Sequence, residues 1–171
     1  FDVAIGNVPF GDYRVNDSVY NSHGFLIHDY FFAKTLDKLR AGGVAAYITT
    51  KGTMDKESTK VREFLFKKAE LLGAIRLPNT AFKNAGTKVT ADILFLQKRE
   101  KEIENPEWIA VTEDAQGFRI NSYFVQHPEM ILGTMQEISG PYGMETTCVE
   151  KEGVPLGERL RAAISHITGH I

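Results

Sequence analysis

The sequence predicts an α/β fold over residues 1–99, followed by a small α+β tail over residues 100–171. Three observations predict it. Phe1 to Ile5 form an apolar run, broken only by Asp2, that stops at the turn-forming cluster Gly6-Asn7-Val8-Pro9-Phe10-Gly11. A long stretch with one apolar helical face follows, from Phe25 to Arg40. After Gly42-Gly43 comes a β-branched run, Val44 to Thr50. Strand, helix and strand in this order suggest a right-handed crossover between parallel strands.

Composition sets the outer limits. The chain has 171 residues, 43% of them hydrophobic and 25% charged, which is the globular range and enough for one domain or slightly more. A net charge of −2 makes the molecule as a whole no polycation, which counts mildly against tight nucleic-acid binding by this chain alone. Cys148 is the single cysteine, so an internal disulfide and a cysteine-rich zinc site are excluded. No metal site is expected. No apolar run reaches the length of a membrane span, the start lacks a basic signal-peptide region, and a cytoplasmic setting fits.

The first strand gives the sharpest signal. Pro9 has no amide hydrogen and cannot lengthen a central strand, and it pushes Val8 towards extended geometry. The chain is therefore expected to leave the sheet at Asn7. That places a carboxamide, two peptide carbonyls and an aromatic ring at the carboxyl end of a strand, where open α/β sheets hold their ligands. An ordinary alternative is that Asn7 is a turn residue bonded to its own loop.

Asn7-Val8-Pro9-Phe10 resembles motif IV of the amino-methylating DNA methyltransferases, usually Asn-Pro-Pro-Tyr or Asn-Pro-Pro-Phe. Val8 replaces the first proline but supplies the same backbone carbonyl. The resemblance implies a partial Rossmann-like methyltransferase sheet, holding that family's strands 4, 5, 6 and 7 with flanking helices. It also implies that Asn7, Val8, Pro9 and Phe10 are the catalytic residues of an adenine-N6 methyltransferase acting on DNA. Cytosine N4 and a protein glutamine remain open as acceptors, because related enzymes methylate all three amino groups. The cofactor implied is S-adenosylmethionine. Its signature, a strand running into Gly-x-Gly with an acidic residue at the next strand end, is not found downstream. Gly42-Gly43 follows a helix and is a connector. The chain is expected to be a piece of a longer protein, with its cofactor-binding half before Phe1 and no cofactor-binding residue here. A fused helicase or a restriction or specificity module in that parent is in keeping with the family. The alternative is a non-catalytic DNA-binding or scaffolding module with a methyltransferase-like fold.

The remaining elements follow in order. Residues 12–24 are polar and irregular, either a surface loop or a lid that touches DNA through Tyr13, Arg14 or Tyr20. In the helix from 25 to 40, Phe25, Phe32, Leu36 and Leu39 share a face, and Lys38 and Arg40 suit its carboxyl end. His28 and Asp29 are adjacent there, so their side chains are expected to point apart. Val44–Thr50 is a strand, and the phrase Leu39 to Val44 resembles the family's approach to its fifth strand. A helix is expected from about Lys56 to Leu71, with Val61, Phe64, Leu65 and Leu72 on one stripe.

Leu72–Leu77 and Lys88–Gln97 read as two strands joined by the loop Asn79–Thr87, an antiparallel terminal pair. Their connection resembles the family's motif VIII region, in which the aromatic here, Phe82, packs on the far face of the target base. Phe82 could equally plug the sheet edge. Lys51 and Lys83, with Lys56, Lys60 and Lys88, are candidate phosphate contacts or simply solvated charges. Lys98–Glu107 is a charged connector and the expected boundary between residues 1–99 and 100–171. Beyond it, Trp108–Thr112 suggests a strand, Asn121 caps a short helix to Val125, and Pro128 opens a turn. Thr134–Ser139 and Met144–Glu150 flank Gly140-Pro141-Tyr142-Gly143 as a hairpin. Leu156–His166 is an amphipathic helix with Leu160, Ala163, Ile164 and Ile167 along one face. By position alone, this tail is a candidate target-recognition or linking region.

Overall fold

The computed structural model describes residues 1–106 and 108–169. Val3–Asn7 forms strand β1, Ile27–Lys38 helix α1 and Val44–Thr50 strand β2. Gly52–Asp55 is a single turn, α2, and Lys60–Lys68 is α3. Ala69–Leu77 forms β3 and Ala91–Lys98 forms β4. These strands make one mixed sheet in the order β1-β2-β4-β3. β1 and β2 are parallel, as the crossover requires, and β4 lies antiparallel between β2 and β3. The carboxyl ends of β1, β2 and β3 therefore share one rim. Asn7 sits beside Ile48 there, which sits beside Ile93, which in turn sits beside Ile75.

The apolar positions of α1 explain why it lies on the sheet. Phe32 and Leu36 are buried in the helix, and Phe25 and Leu39 extend the same buried line just outside its ends. The return to β2 is tight. Gly42 takes a φ of 79°, and a Cβ on Gly43 would stand 3.0 Å from the backbone oxygens of Asp2 and Arg40. Only glycine meets both conditions, the left-handed turn and the close backbone approach.

The helix expected over 56–71 is shorter at both ends. Asp55 is drawn into the interior, where its Oδ1 accepts the amide of Asn121 at 3.0 Å, and Lys56 turns extended after it. At the other end Ala69, Glu70 and Leu71 pair with Lys98, Gln97 and Leu96 and so belong to β3. Within α3 the buried side chains are Arg62, Leu65 and Phe66, while Val61 and Phe64 are half-buried and Leu72 lies in the strand.

Three charged side chains form a buried knot beneath the rim. Arg76 of β3 is fully buried and donates two parallel hydrogen bonds, each 2.8 Å, to Asp92 of β4. Its Nη1 stands 2.7 Å from Asp55 Oδ2, and its guanidinium lies 4.4 Å over the ring of Phe124. Burial tends to push the Asp92 carboxyl up, and Arg76 opposes that shift. A planar fork satisfying a carboxylate in this way is the one arrangement in which such burial is tolerable.

The tail is built on this knot. Val111–Glu113 (β5) and Arg119–Asn121 (β6) form a small antiparallel pair, followed by Ser122–Gln126 (α4) and a short turn at Pro128–Met130. Gly133–Gly140 (β7) and Gly143–Glu150 (β8) make the expected hairpin, and Leu156–Ile164 is α5. Asn121 caps α4 by accepting the amide of Tyr123. Gly133 is needed where β7 meets β8, because a Cβ there would stand 2.3 Å from the Val149 carbonyl oxygen. Ile120, Phe124, Met130, Leu132 and Cys148 join the same buried cluster as Leu94 and Ile75 of the sheet. Glu107, at the end of the expected connector, lies outside the described residues. Among the described residues, no helix is long and apolar enough to cross a membrane.

Candidate functional site

Asn7 closes β1, paired with Ile48, and its side chain is exposed at the rim. Among the described residues nothing hydrogen-bonds to its carboxamide. Asn121 shows the opposite arrangement. That carboxamide is fully buried, donates to Met54 and Trp108 carbonyls at 2.9 and 3.1 Å, and accepts the Tyr123 amide at 3.0 Å. An asparagine that shapes its own backbone looks like Asn121. Asn7 instead has both its acceptor and its donors open.

The chain leaves the sheet one residue later than expected. The Val8 amide still donates to the Ile48 carbonyl at 3.0 Å, and the Val8 side chain is buried. Pro9 then has no hydrogen to offer, so pairing stops there. The result is a loop whose root is anchored by Val8 and whose tip, Phe10, is 42% exposed.

Asn7 and Phe10 line a cavity of about 100 Å³, together with Ile48, Phe82, Ala85, Thr87 and Val89. The carboxamide and two aromatic rings expected to act on one ligand are thus brought to one place. Phe82 comes from the β3–β4 connection, is half-buried, and lines the same cavity. The residue types suit a flat heteroaromatic ring bearing an amine: one amide acceptor, ring faces, and small or aliphatic walls.

The two lysines separate. Lys83 is exposed in the turn next to Phe82. Lys51, at the end of β2, is half-buried and donates to Thr146 Oγ1 of β8 at 3.1 Å. Neither lines the cavity. The loop over residues 12–24 is tied down: Asp17 accepts from Lys34 at 2.8 Å, Tyr30 at 3.1 Å and the Val19 amide at 3.0 Å, and Tyr20 is buried against Asp37. The Lys34 contact comes first among the causes that hold the Asp17 carboxyl below its usual range.

His28 and Asp29 do not point apart. His28 Nε2 lies 3.4 Å from Asp29 Oδ1, and Asp29 is buried in the first turn of α1. Burial raises its pKa, against the opposing fields of His28 and Lys56.

Sequence reasoning missed the second anchor of the cavity. The feet of the Phe82 loop are held by β8, through Asn79, Thr80 and Thr90. A run of threonines in a hairpin carries no signal of that partnership. Ile48, Ala85, Thr87 and Val89 carry no such signal either, because only the fold makes them neighbours.

The chain matches the model of the N-6 DNA Methylase family over residues 1–138. It is 35% identical over 107 residues to the Defense against restriction protein B of Escherichia phage P1, an alignment that covers 60% of this chain and 5% of that protein. Two solved structures are also similar. The EcoKI M protein, a type I restriction enzyme component, gives a TM-score of 0.47 at 21% identity, covering 61% of this chain and 23% of that one. A Listeria monocytogenes protein described as a class I S-adenosylmethionine-dependent methyltransferase gives 0.48 at 24%, covering 63% and 35%. The match to the family model spans well over half of the sequence: the chain belongs to the N-6 DNA methylase family.

Proposed function

We propose that this chain forms the amine-binding side of the active site of an adenine-N6 DNA methyltransferase that uses S-adenosylmethionine. The observation that carries the reading is the shared cavity of Asn7, Phe10 and Phe82, with the Asn7 carboxamide unbonded among the described residues. The family's description, an N-6 methylase of DNA, favours adenine over cytosine N4 and over a protein glutamine.

The chemistry follows from the groups present. The exocyclic amine of adenine is a weak nucleophile because its lone pair is delocalised into the ring. Two acceptors on its two hydrogens favour the tetrahedral form in which that pair is free. Asn7 Oδ1 supplies one acceptor and the Val8 carbonyl the other, with Pro9 fixing the turn between that carbonyl and Phe10. Neither needs to be a strong base, since position and electrostatics do the work. The target amine lies inside the duplex, so the base must be extruded at a cost of a few kcal/mol. Stacking on Phe10 and Phe82, about 1–3 kcal/mol per base, offsets that cost. Lys83, exposed beside Phe82, is placed for a phosphate, while Lys51 adds positive charge behind the rim.

The described residues do not fit a complete S-adenosylmethionine site. Gly42-Gly43, the one glycine pair here, joins α1 to β2 instead of leading from a strand into a helix. The second reading is a non-catalytic DNA-binding or scaffolding module. The test is Asn7→Ala in the whole protein, read by restriction protection of target DNA. The methyltransferase reading requires loss of protection with the fold intact. Retained protection refutes the role of Asn7, and absence of methylation in the wild type supports the second reading.

A further inference from the structure

We propose that Thr147 of β8 is a positioning residue that sets the placement of Phe82 across the base cavity. The proposal rests on the methyltransferase reading for its consequence, but its structural core can be tested without it. The Phe82 loop runs from Pro78 to Thr90, and its residues 83–88 are all exposed. Such an arch holds its shape only where its two feet are fixed.

Both feet end on the same two residues of β8. At the first foot, the Asn79 amide donates to the Cys148 carbonyl at 2.7 Å, and Asn79 Nδ2 donates to Thr147 Oγ1 at 3.1 Å. At the second, Thr90 Oγ1 accepts the Cys148 amide at 2.9 Å and lies 3.1 Å from Thr147 Oγ1. Thr147 Oγ1 therefore touches both feet at once. It is 6% exposed and Thr90 is 3% exposed, so water does not readily replace a lost partner. Two further contacts from the same strand brace the clasp, Thr80 Oγ1 to Glu150 at 2.8 Å and Lys51 Nζ to Thr146 at 3.1 Å.

The clasp comes from outside the region that matches the family. That match ends at residue 138, within β7, so β8 lies beyond it. An element beyond the matched region thus holds one wall of a cavity whose lining residues fall within it. A change of a few tenths of an ångström between the feet would be carried to Phe82, Ala85, Thr87 and Val89, which line that wall. Asn7 and Phe10 would not move with it.

The test uses Thr147→Val, which keeps the shape and removes the hydroxyl, and Thr147→Ser, which restores it. The direct readout is trypsin cleavage after Lys83 and Lys88, with cleavage after the exposed Lys101 as the internal reference. Thr147→Val is expected to speed cleavage after Lys83 and Lys88 by about three- to tenfold relative to Lys101, the effect of losing one or two hydrogen bonds. Thr147→Ser is expected to match the wild type. Unchanged relative cleavage, or an equal rise at all three sites, overturns the proposal whatever Asn7 does. In the whole protein, Thr147→Val is expected to raise KM for DNA by a similar factor with kcat nearly kept. Loosened cleavage without a rise in KM overturns the link to the cavity, whereas Asn7→Ala alone decides the methyltransferase reading.

Discussion

Asn7 and Phe82 come from opposite ends of the sheet's chain order and line the same cavity. β1 delivers the first at the rim, and the β3–β4 connection folds back to deliver the second. β3 and β4 are adjacent and antiparallel, so their connection lies at the same rim as the carboxyl end of β1. The strand directions thus bring a strand-end asparagine and a ring from a later connection to one open cavity.

Asn7→Ala is expected to leave stability within about 0.5 kcal/mol of the wild type, because an exposed, unbonded carboxamide holds nothing in place. The same change is expected to lower methylation by at least about 100-fold, as for loss of a preorganised polar contact to the reacting group. Chemical denaturation and single-turnover methylation check the two halves.

Phe82 separates into stacking and packing. If its ring lies on the target base, Phe82→Ala weakens binding of the extruded base by about 1–3 kcal/mol, and Phe82→Tyr restores it. A fall in melting temperature without loss of affinity for a duplex carrying an abasic mismatch opposite the target would show packing instead.

Arg76 and Asp92 tie the rim to the tail. Asp92→Ala leaves a buried guanidinium with Asp55 as its remaining carboxylate neighbour and is expected to cost about 3–5 kcal/mol. Exchanging Arg76, Asp92 and Asp55 together for apolar residues of similar size is expected to cost far less. Urea unfolding of the single and triple variants measures the difference.

Asp29 gives a pH dependence with a definite sign. Burial raises its pKa in the folded state. The folded state therefore binds that proton more tightly than the unfolded one, and Asp29 lowers stability as pH rises above the ordinary carboxylate range. Asp29→Asn, which keeps the shape of the side chain and removes its charge, is expected to raise the melting temperature at pH 7. The gain should vanish below about pH 4, where the unfolded carboxyl is also protonated. Melting curves across that range test it.

Much of this was legible in the sequence because the signals were local. Val44–Thr50 is β-branched and bounded by Gly42-Gly43, Asn121 is a cap followed by apolar residues, and Gly140-Pro141-Tyr142-Gly143 is a turn between two extended runs. Each was found where expected. What escaped was set by distant partners. α3 ends early because Ala69 pairs with Lys98, and it begins late because Asp55 answers Asn121 and Arg76. Arg76 looked like any polar residue in a strand, since its partners lie on three other elements. The same holds for the site. The Asn7 loop was visible from its proline, but the role of Thr147 depends on a hairpin folding onto a loop far from it in sequence.

The most direct test is a crystal structure of the whole protein bound to target duplex and a non-reactive analogue of S-adenosylmethionine. The expected result is one extruded adenine between Phe10 and Phe82, its amine within about 3 Å of both Asn7 Oδ1 and the Val8 carbonyl oxygen. An adenine held elsewhere, or an amine bonded to neither atom, would contradict the central claim.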